Sequence, residues 1–305
     1  MIWLLFCMAL ATTSASNCDI CLKGHCLGPD PLNITENDKV PPNSVDINNN
    51  ILYYIRHGSI ESINLDNYTV NLIPTVGTFE IQYLTIDQIT GELYNEYYDR
   101  PYYRIYKGQT QIDVLKKSKD MWSYNATIYW INSGKELCFV TDTSSPLQTV
   151  AAFRNIKVKS VTFDKFSNMY ITTKNEVYKQ KPNEDKSVLL LGLELKVLRD
   201  INGDVYVIDS HRHGLIYQVD SETDKLDIVG AFGAKYNNYE DYMLDKYNNI
   251  IAKKQSTNLW FHFKDKMLQC RVKFSEKYRI GVGLGNIPEI EIITPDKNEE
   301  NPYSQ

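Results

Sequence analysis

The chain has 305 residues, with 33 Lys and Arg against 38 Asp and Glu, a formal net charge of −5 and a pI of about 5.6. That balance excludes the basic footprint of a general nucleic-acid binder. Charges are interspersed rather than blocked, and nothing after the first sixteen residues is apolar enough to span a bilayer, so no membrane partner is expected.

Residues 1–16 read MIWLLFCMALATTSAS. An apolar run from Ile2 to Ala11 precedes small residues up to Ser16, the layout of a secretory signal peptide cleaved after Ala15 or Ser16. The run is shorter than the roughly 20 residues a bilayer crossing needs. A buried N-terminal strand or helix is the competing reading. The expectation is a secreted, extracellular protein. The sequons at Asn33, Asn67 and Asn125 agree with that route and are candidate glycosylation sites.

Residues 17–40 form a Cys-rich N-terminal segment in which Cys18, Cys21 and Cys26 are spaced C-x2-C-x4-C. In an oxidising compartment these read as disulfide staples. No second Cys/His pair at ligand spacing supports a zinc site, and no metal or cofactor is expected. Once Cys7 leaves with the signal, five cysteines remain. One economical pairing closes a small loop within the cluster and ties the cluster to Cys270, leaving Cys138 buried and free. Spacing alone leaves the connectivity open.

Residues 41–295 carry a repeat. An apolar stretch, an Asp, a polar turn and a second apolar stretch recur as SVDINNNILYY from Ser44, LTIDQITGELY from Leu84, VTFDKFSNMYI from Val161, LRDINGDVYVID from Leu198 and MLDKYNNIIA from Met243. YWINSGKELCFV from Tyr129 is a weaker sixth copy without the Asp. The mean period is about forty residues. Alternating Val, Ile, Tyr and Phe around Asn, Asp and Gly turns is hairpin chemistry. One such sheet cannot bury both its faces, whereas six stacked radially can. The predicted fold is all-β: a six-bladed β-propeller of four-stranded antiparallel blades, with a seven-bladed ring as the alternative. Asp46, Asp87, Asp164, Asp200 and Asp245 are spread one per blade, so turn bonding to backbone N–H explains them better than a calcium ion needing gathered oxygens. Residues 296–305 are acidic and polar, and a disordered tail is expected there.

In a propeller the starts of the first strands and the ends of the second strands share one face. Second-strand ends point to Arg56, His57, Tyr97, Tyr98, Arg100, Asp142, Lys174, Asp209, His211 and Lys254 as ligand-binding residues. First-strand starts add Asn43, Tyr83, Tyr124, Lys196 and Tyr242. The run NEYYDRPYYRIY suggests an aromatic rim with Arg100 and Arg104 facing carboxylates, or ordinary packing between blades. No hydrolase, zincin or phosphate-loop motif is present, and no catalytic residue is predicted.

The segment DVYVIDSHRHGLIYQVD resembles the blade signature of NHL-repeat and gluconolactonase-type six-bladed propellers. A wider likeness is carried by NCDICLKGHCLG, VDINNNILYY, LTIDQITGELY and AFRNIKVKSVTFDKFSNMYITT, which together resemble the lepidopteran ommochrome-binding proteins. That resemblance implies a secreted haemolymph protein, not an enzyme, whose partner is a small aromatic pigment such as xanthommatin. The alternatives are a calcium-dependent lactonase or esterase-type propeller enzyme and a protein-interaction propeller.

Overall fold

The computed structural model describes residues 18–75, 80–99, 102–115, 120–132, 136–141, 148–182, 184–191, 195–209, 214–233, 239–274 and 288–293. The expected signal peptide and acidic tail lie outside them, as do Arg100, Asp142 and His211. The fold is an all-β propeller. Four antiparallel sheets have four strands each, and a fifth sheet of ten strands joins the remaining material. Apolar clusters fill the spaces between sheets. Trp122, Phe153, Val161 and Ile171 pack in one, and Tyr170, Val177, Val197 and Val207 in the next. Alternation along each strand puts successive side chains into successive clusters. This is why a strand near the axis such as Val205–Asp209 is buried along its whole length, while outer strands such as Val70–Ile73 are largely exposed.

The five repeated aspartates are all buried. Asp87 accepts backbone N–H from Ile89 at 2.9 Å and Thr90 at 3.1 Å, and Asp164 from Phe166 and Asn168, both at 2.9 Å. Asp200 accepts from Asn202 and Asp204 at 2.9 Å each, and Asp245 from Tyr247 and Asn249 at 2.8 Å each. The second carboxylate oxygen takes a hydroxyl from the following strand, Tyr170 to Asp164 and Tyr206 to Asp200, each 3.0 Å. In the last unit His262 Nε2 lies 2.8 Å from Asp245. These carboxylates tie the turn to the sheet behind it. Asp200→Ala strands two backbone donors and the Tyr206 hydroxyl in a buried site and costs about 3 kcal/mol. Urea unfolding of the variant measures it, and a loss under about 0.5 kcal/mol would contradict this role.

The third unit departs from the expected repeat. Its first strand is Met121–Tyr124, joined to Thr127–Ile131 by Asn125 and Ala126, both at positive φ (48° and 60°). That is the left-handed pair a two-residue hairpin needs. The weak copy around Asn132 therefore belongs to the next turn along, between the second and third strands of the sheet. Asn132 still mimics the aspartates there, since its side-chain oxygen accepts the Glu136 N–H at 3.0 Å.

The Cys-rich segment is part of the ring. Strand Ile20–Leu22 pairs with the outer strand Leu226–Phe232, and His25–Pro31 pairs with Trp260–Phe274, so one hairpin sews the last two units together. Disulfides Cys18–Cys26 and Cys21–Cys270 lock it, and Cys138 is free and buried. This matches the economical pairing. Gly230 makes the seam: a Cβ there would sit 2.3 Å from the Cys21 carbonyl oxygen. Asn33, Asn67 and Asn125 are exposed.

A buried ion-pair group pins the chain where it enters the first unit. Asp38 accepts Arg56 Nε at 2.9 Å and Nη2 at 2.6 Å, plus the Thr35 N–H at 2.6 Å. Burial raises the Asp38 carboxyl, but the bonds from Arg56 and Thr35 outweigh it and hold the group below its ordinary 3.8. A carboxyl depressed on folding stabilises above its unfolded value and loses that contribution as pH falls through the folded one. The stability gap between wild type and Asp38→Asn, read by urea unfolding, is therefore expected to narrow between pH 6 and pH 3. A gap unchanged at pH 3 would assign it to packing instead.

Candidate functional site

Inner strands of six of the described hairpins line an axial cavity of about 300 Å³. Its wall takes residues from Val45–Asp46, Glu80–Ile86, Met121–Tyr124, Ser160–Phe163, Leu195–Arg199 and Tyr239–Leu244. Each inner strand starts at one face and ends at its turn on the other, so the cavity is built in tiers. The starting face carries Asp120, Lys159, Lys196 and Asp241. The middle is apolar and aromatic, with Trp122, Val161, Val197, Met243 and Trp260. The turn-side tier takes the last strand residue before each turn: Val45, Ile86, Tyr124, Phe163, Arg199 and Leu244.

Two features give this cavity chemistry. The first is Asp241. The strand register shifts between Glu240 and Met243, a bulge, and Asp241 sits in it at φ 53°. Bulges re-aim side chains, and Asp is one of the few residue types that takes positive φ readily. The Asp241 carboxylate lies 3.8 Å from Lys196 Nζ and 3.9 Å from Lys253 Nζ, so an acid and an ammonium from adjacent inner strands meet at the rim. The second is Arg199 at the turn-side tier. Burial pushes its guanidinium below the usual arginine value, against the raising effect of Tyr124 and Asp200. Its Nε is buried without a hydrogen-bond partner.

Of the expected ligand-binding residues, four of the first-strand group lie on the cavity wall: Asn43, Lys196, Tyr242 and Tyr124, the last not at the start of its strand as expected but at its end beside the Asn125–Ala126 turn. Tyr242 is buried, donates its hydroxyl to the Tyr239 carbonyl at 2.8 Å and stacks at a tilt on Phe232, 5.2 Å away. Tyr83 sits off the wall under the Lys39 ammonium at 4.2 Å, and burial pushes its phenol up to about 12. The second-strand group lies elsewhere. Arg56 is engaged by Asp38 and Glu61, and His57 is exposed in a hairpin turn. Tyr97 is fully buried, edge-on to Tyr106 at 5.0 Å, and Tyr98 packs on Tyr103 at 4.8 Å, so the Tyr-rich run serves packing. Arg104 bonds Asp99 at 2.7 Å. Lys174 is exposed, Lys254 half-buried, and Asp209 buried at its strand end. The reason is radial: a second strand reaches the same face as the first but stands one strand spacing, about 4.8 Å, further from the axis. Lys159, Asp241, Trp122 and Arg199 were not expected.

The wall does not fit a calcium ion. Its carboxylates are Asp120 and Asp241, interleaved with three cations, whereas calcium takes six to eight oxygens. Among the described residues no group of three or more His, Cys, Asp or Glu is placed to hold a metal.

No protein family matches the sequence, and no curated relative does. Solved structures match the fold. A gluconolactonase from Xanthomonas campestris superposes with a TM-score of 0.55 at 10% identity, covering 81% of this chain and 94% of that one. A streptogramin B lyase does so with a TM-score of 0.52 at 8% identity, covering 79% and 97%. At such identities the likeness shows the propeller fold. These rings are enzymes by name and neither is named as a pigment binder. The comparison therefore overturns the expectation of a non-catalytic carrier of an aromatic pigment, and with it the expectation of no enzyme activity.

Proposed function

We propose that this chain is a propeller enzyme that opens small cyclic esters in its axial cavity, outside the cell or in another oxidising compartment. The observation that carries the reading is Asp241, bulged into the rim with Lys196 beside it; the gluconolactonase-like ring and the two disulfides support it. In this reading the Asp241 carboxylate takes a proton from water, whose oxygen attacks the ester carbonyl. The Lys196 ammonium stabilises the negative charge that grows on the carbonyl oxygen. The ring C–O bond then breaks, and the proton passes from Asp241 to the departing oxygen, giving a hydroxy acid. The aromatic middle tier holds the carbon skeleton and keeps bulk water out.

The test uses the purified chain, a panel of five- and six-membered lactones and aryl esters, and titration of the acid released. Saturable hydrolysis that persists in a chelator is expected, since the wall offers no calcium cage. A rate no higher than buffer across the panel would overturn the proposal.

A further inference from the structure

Arg199 sits where no charge is expected. The equivalent turn-side positions of the other inner strands hold Val45, Ile86, Tyr124, Phe163 and Leu244, all uncharged. The turn aspartate next to it, Asp200, is fully used by Asn202, Asp204 and Tyr206. Asp164 is likewise taken up by its own turn and the Tyr170 hydroxyl, and Asp87 by its own turn and the Ala126 N–H of the next unit. Among the described residues no ion pair or hydrogen bond engages the Arg199 side chain. Arg199 is half-buried, and Asp200, Asp164 and Asp87 favour its charge from a distance without bonding it, so its buried Nε leaves hydrogen-bonding capacity that an anionic ligand in the cavity satisfies.

The surroundings say what shape of anion fits. Phe163 in the neighbouring unit and Tyr124 in the one beyond share the tier of Arg199, with rings stacked at 4.3 Å and 13° from parallel. The Tyr124 hydroxyl is already committed to the Asp164 carbonyl at 3.1 Å, so it does not compete for the guanidinium. Ser123, on the same wall, has a buried hydroxyl without a partner. Counting the rim, the wall carries Lys159, Lys196 and Arg199 against Asp120 and Asp241, an excess of positive charge. A planar fork of donors matches a carboxylate through two parallel hydrogen bonds.

We infer that Arg199 anchors a carboxylate carried by the substrate, so that the cavity takes small esters or lactones with an acid group at the end remote from the reacting carbonyl. This rests on the reading of the axial cavity as the substrate site. The acid end reaches the turn-side tier, the carbon skeleton lies among Trp122, Val197 and Trp260, and the ester stays at the Asp241–Lys196 rim. Substrate orientation is then set by charge at the far end of the cavity rather than at the reacting end.

Binding is measured apart from turnover, by calorimetry and by quenching of Trp122 and Trp260, using glutarate and benzoate against their neutral amides. The acids are expected to bind about tenfold tighter or better, consistent with a charge-assisted pair. Arg199→Gln and Arg199→Met are expected to abolish that preference while amide binding stays. Their thermal stability is expected to stay close to that of wild type, because the half-buried side chain gives up no hydrogen bond or ion pair. Arg199→Lys, with charge but no fork, is expected to keep part of the preference. Equal affinity for acids and amides, or a preference that survives both Arg199→Gln and Arg199→Met, overturns the anchor. Acid binding that depends on Arg199 without any lactone opening keeps the anchor and sinks the hydrolase reading. Lactone opening with no acid preference does the reverse.

Discussion

Replacing Cys21 and Cys270 together by serine is expected to cost about 5 kcal/mol of stability, against about 2 kcal/mol for the Cys18/Cys26 pair. The two bonds differ in the chain they close, 249 residues for one and 8 for the other. The longer bond removes most of the denatured chain's freedom and ties the first strand of the ring to its last unit. Locally, the same bond holds the hairpin whose strands pair with Leu226–Phe232 and Trp260–Phe274, the ladders that join the last two units among the described residues. Without it that hairpin relies on a three-residue ladder on one side. Urea unfolding of the two double variants measures both costs. Equal losses would show that the seam is held by its strand pairing alone and that the covalent closure is redundant.

Asp241→Asn is expected to lower kcat on any lactone the enzyme opens by about 10²- to 10⁴-fold, with little change in KM. The substitution is chosen to spare the fold. Asn tolerates positive φ as Asp does, so the bulge at φ 53° survives, while the amide cannot accept the water's proton. Lys196→Met removes the neighbouring ammonium and is expected to cost about 10²- to 10³-fold through the oxyanion. The two losses are expected to combine less than additively, since the groups act on one step. An Asp241→Asn variant with wild-type kcat would move the base elsewhere on the rim, with Asp120 the remaining carboxylate on the wall.

Much of the architecture was legible in the residues. The period of about forty, the alternation and the turn aspartates came from local chemistry, which a strand and a two-residue turn impose wherever they occur. The third unit misled because its inner turn is Asn125–Ala126 and lacks the aspartate, while Asn132 imitates that aspartate one turn later. The site was harder to read. Strand starts led to Asn43, Lys196 and Tyr242, which do line the cavity, and to Tyr124, which lines it from the opposite, turn-side end of its strand; strand ends led to Arg56, Tyr97 and Lys254, which do not. One signal was overlooked. Arg199 precedes its turn aspartate where Val45, Ile86, Phe163 and Leu244 precede theirs, a charge in an apolar column visible on aligning the repeats.

By itself, the sequence determined the strands, their turns, the sheet class and the stacking of sheets into a ring, because each depends on neighbours a few residues apart or on burying a repeated face. Only the tertiary structure decided which side chains meet on the axis. Asp241 and Lys196 belong to adjacent units, and Arg199 faces Tyr124 from two units away. Radial distance from the axis, which separates a wall residue from a rim residue at the same height, leaves no trace in spacing along the chain.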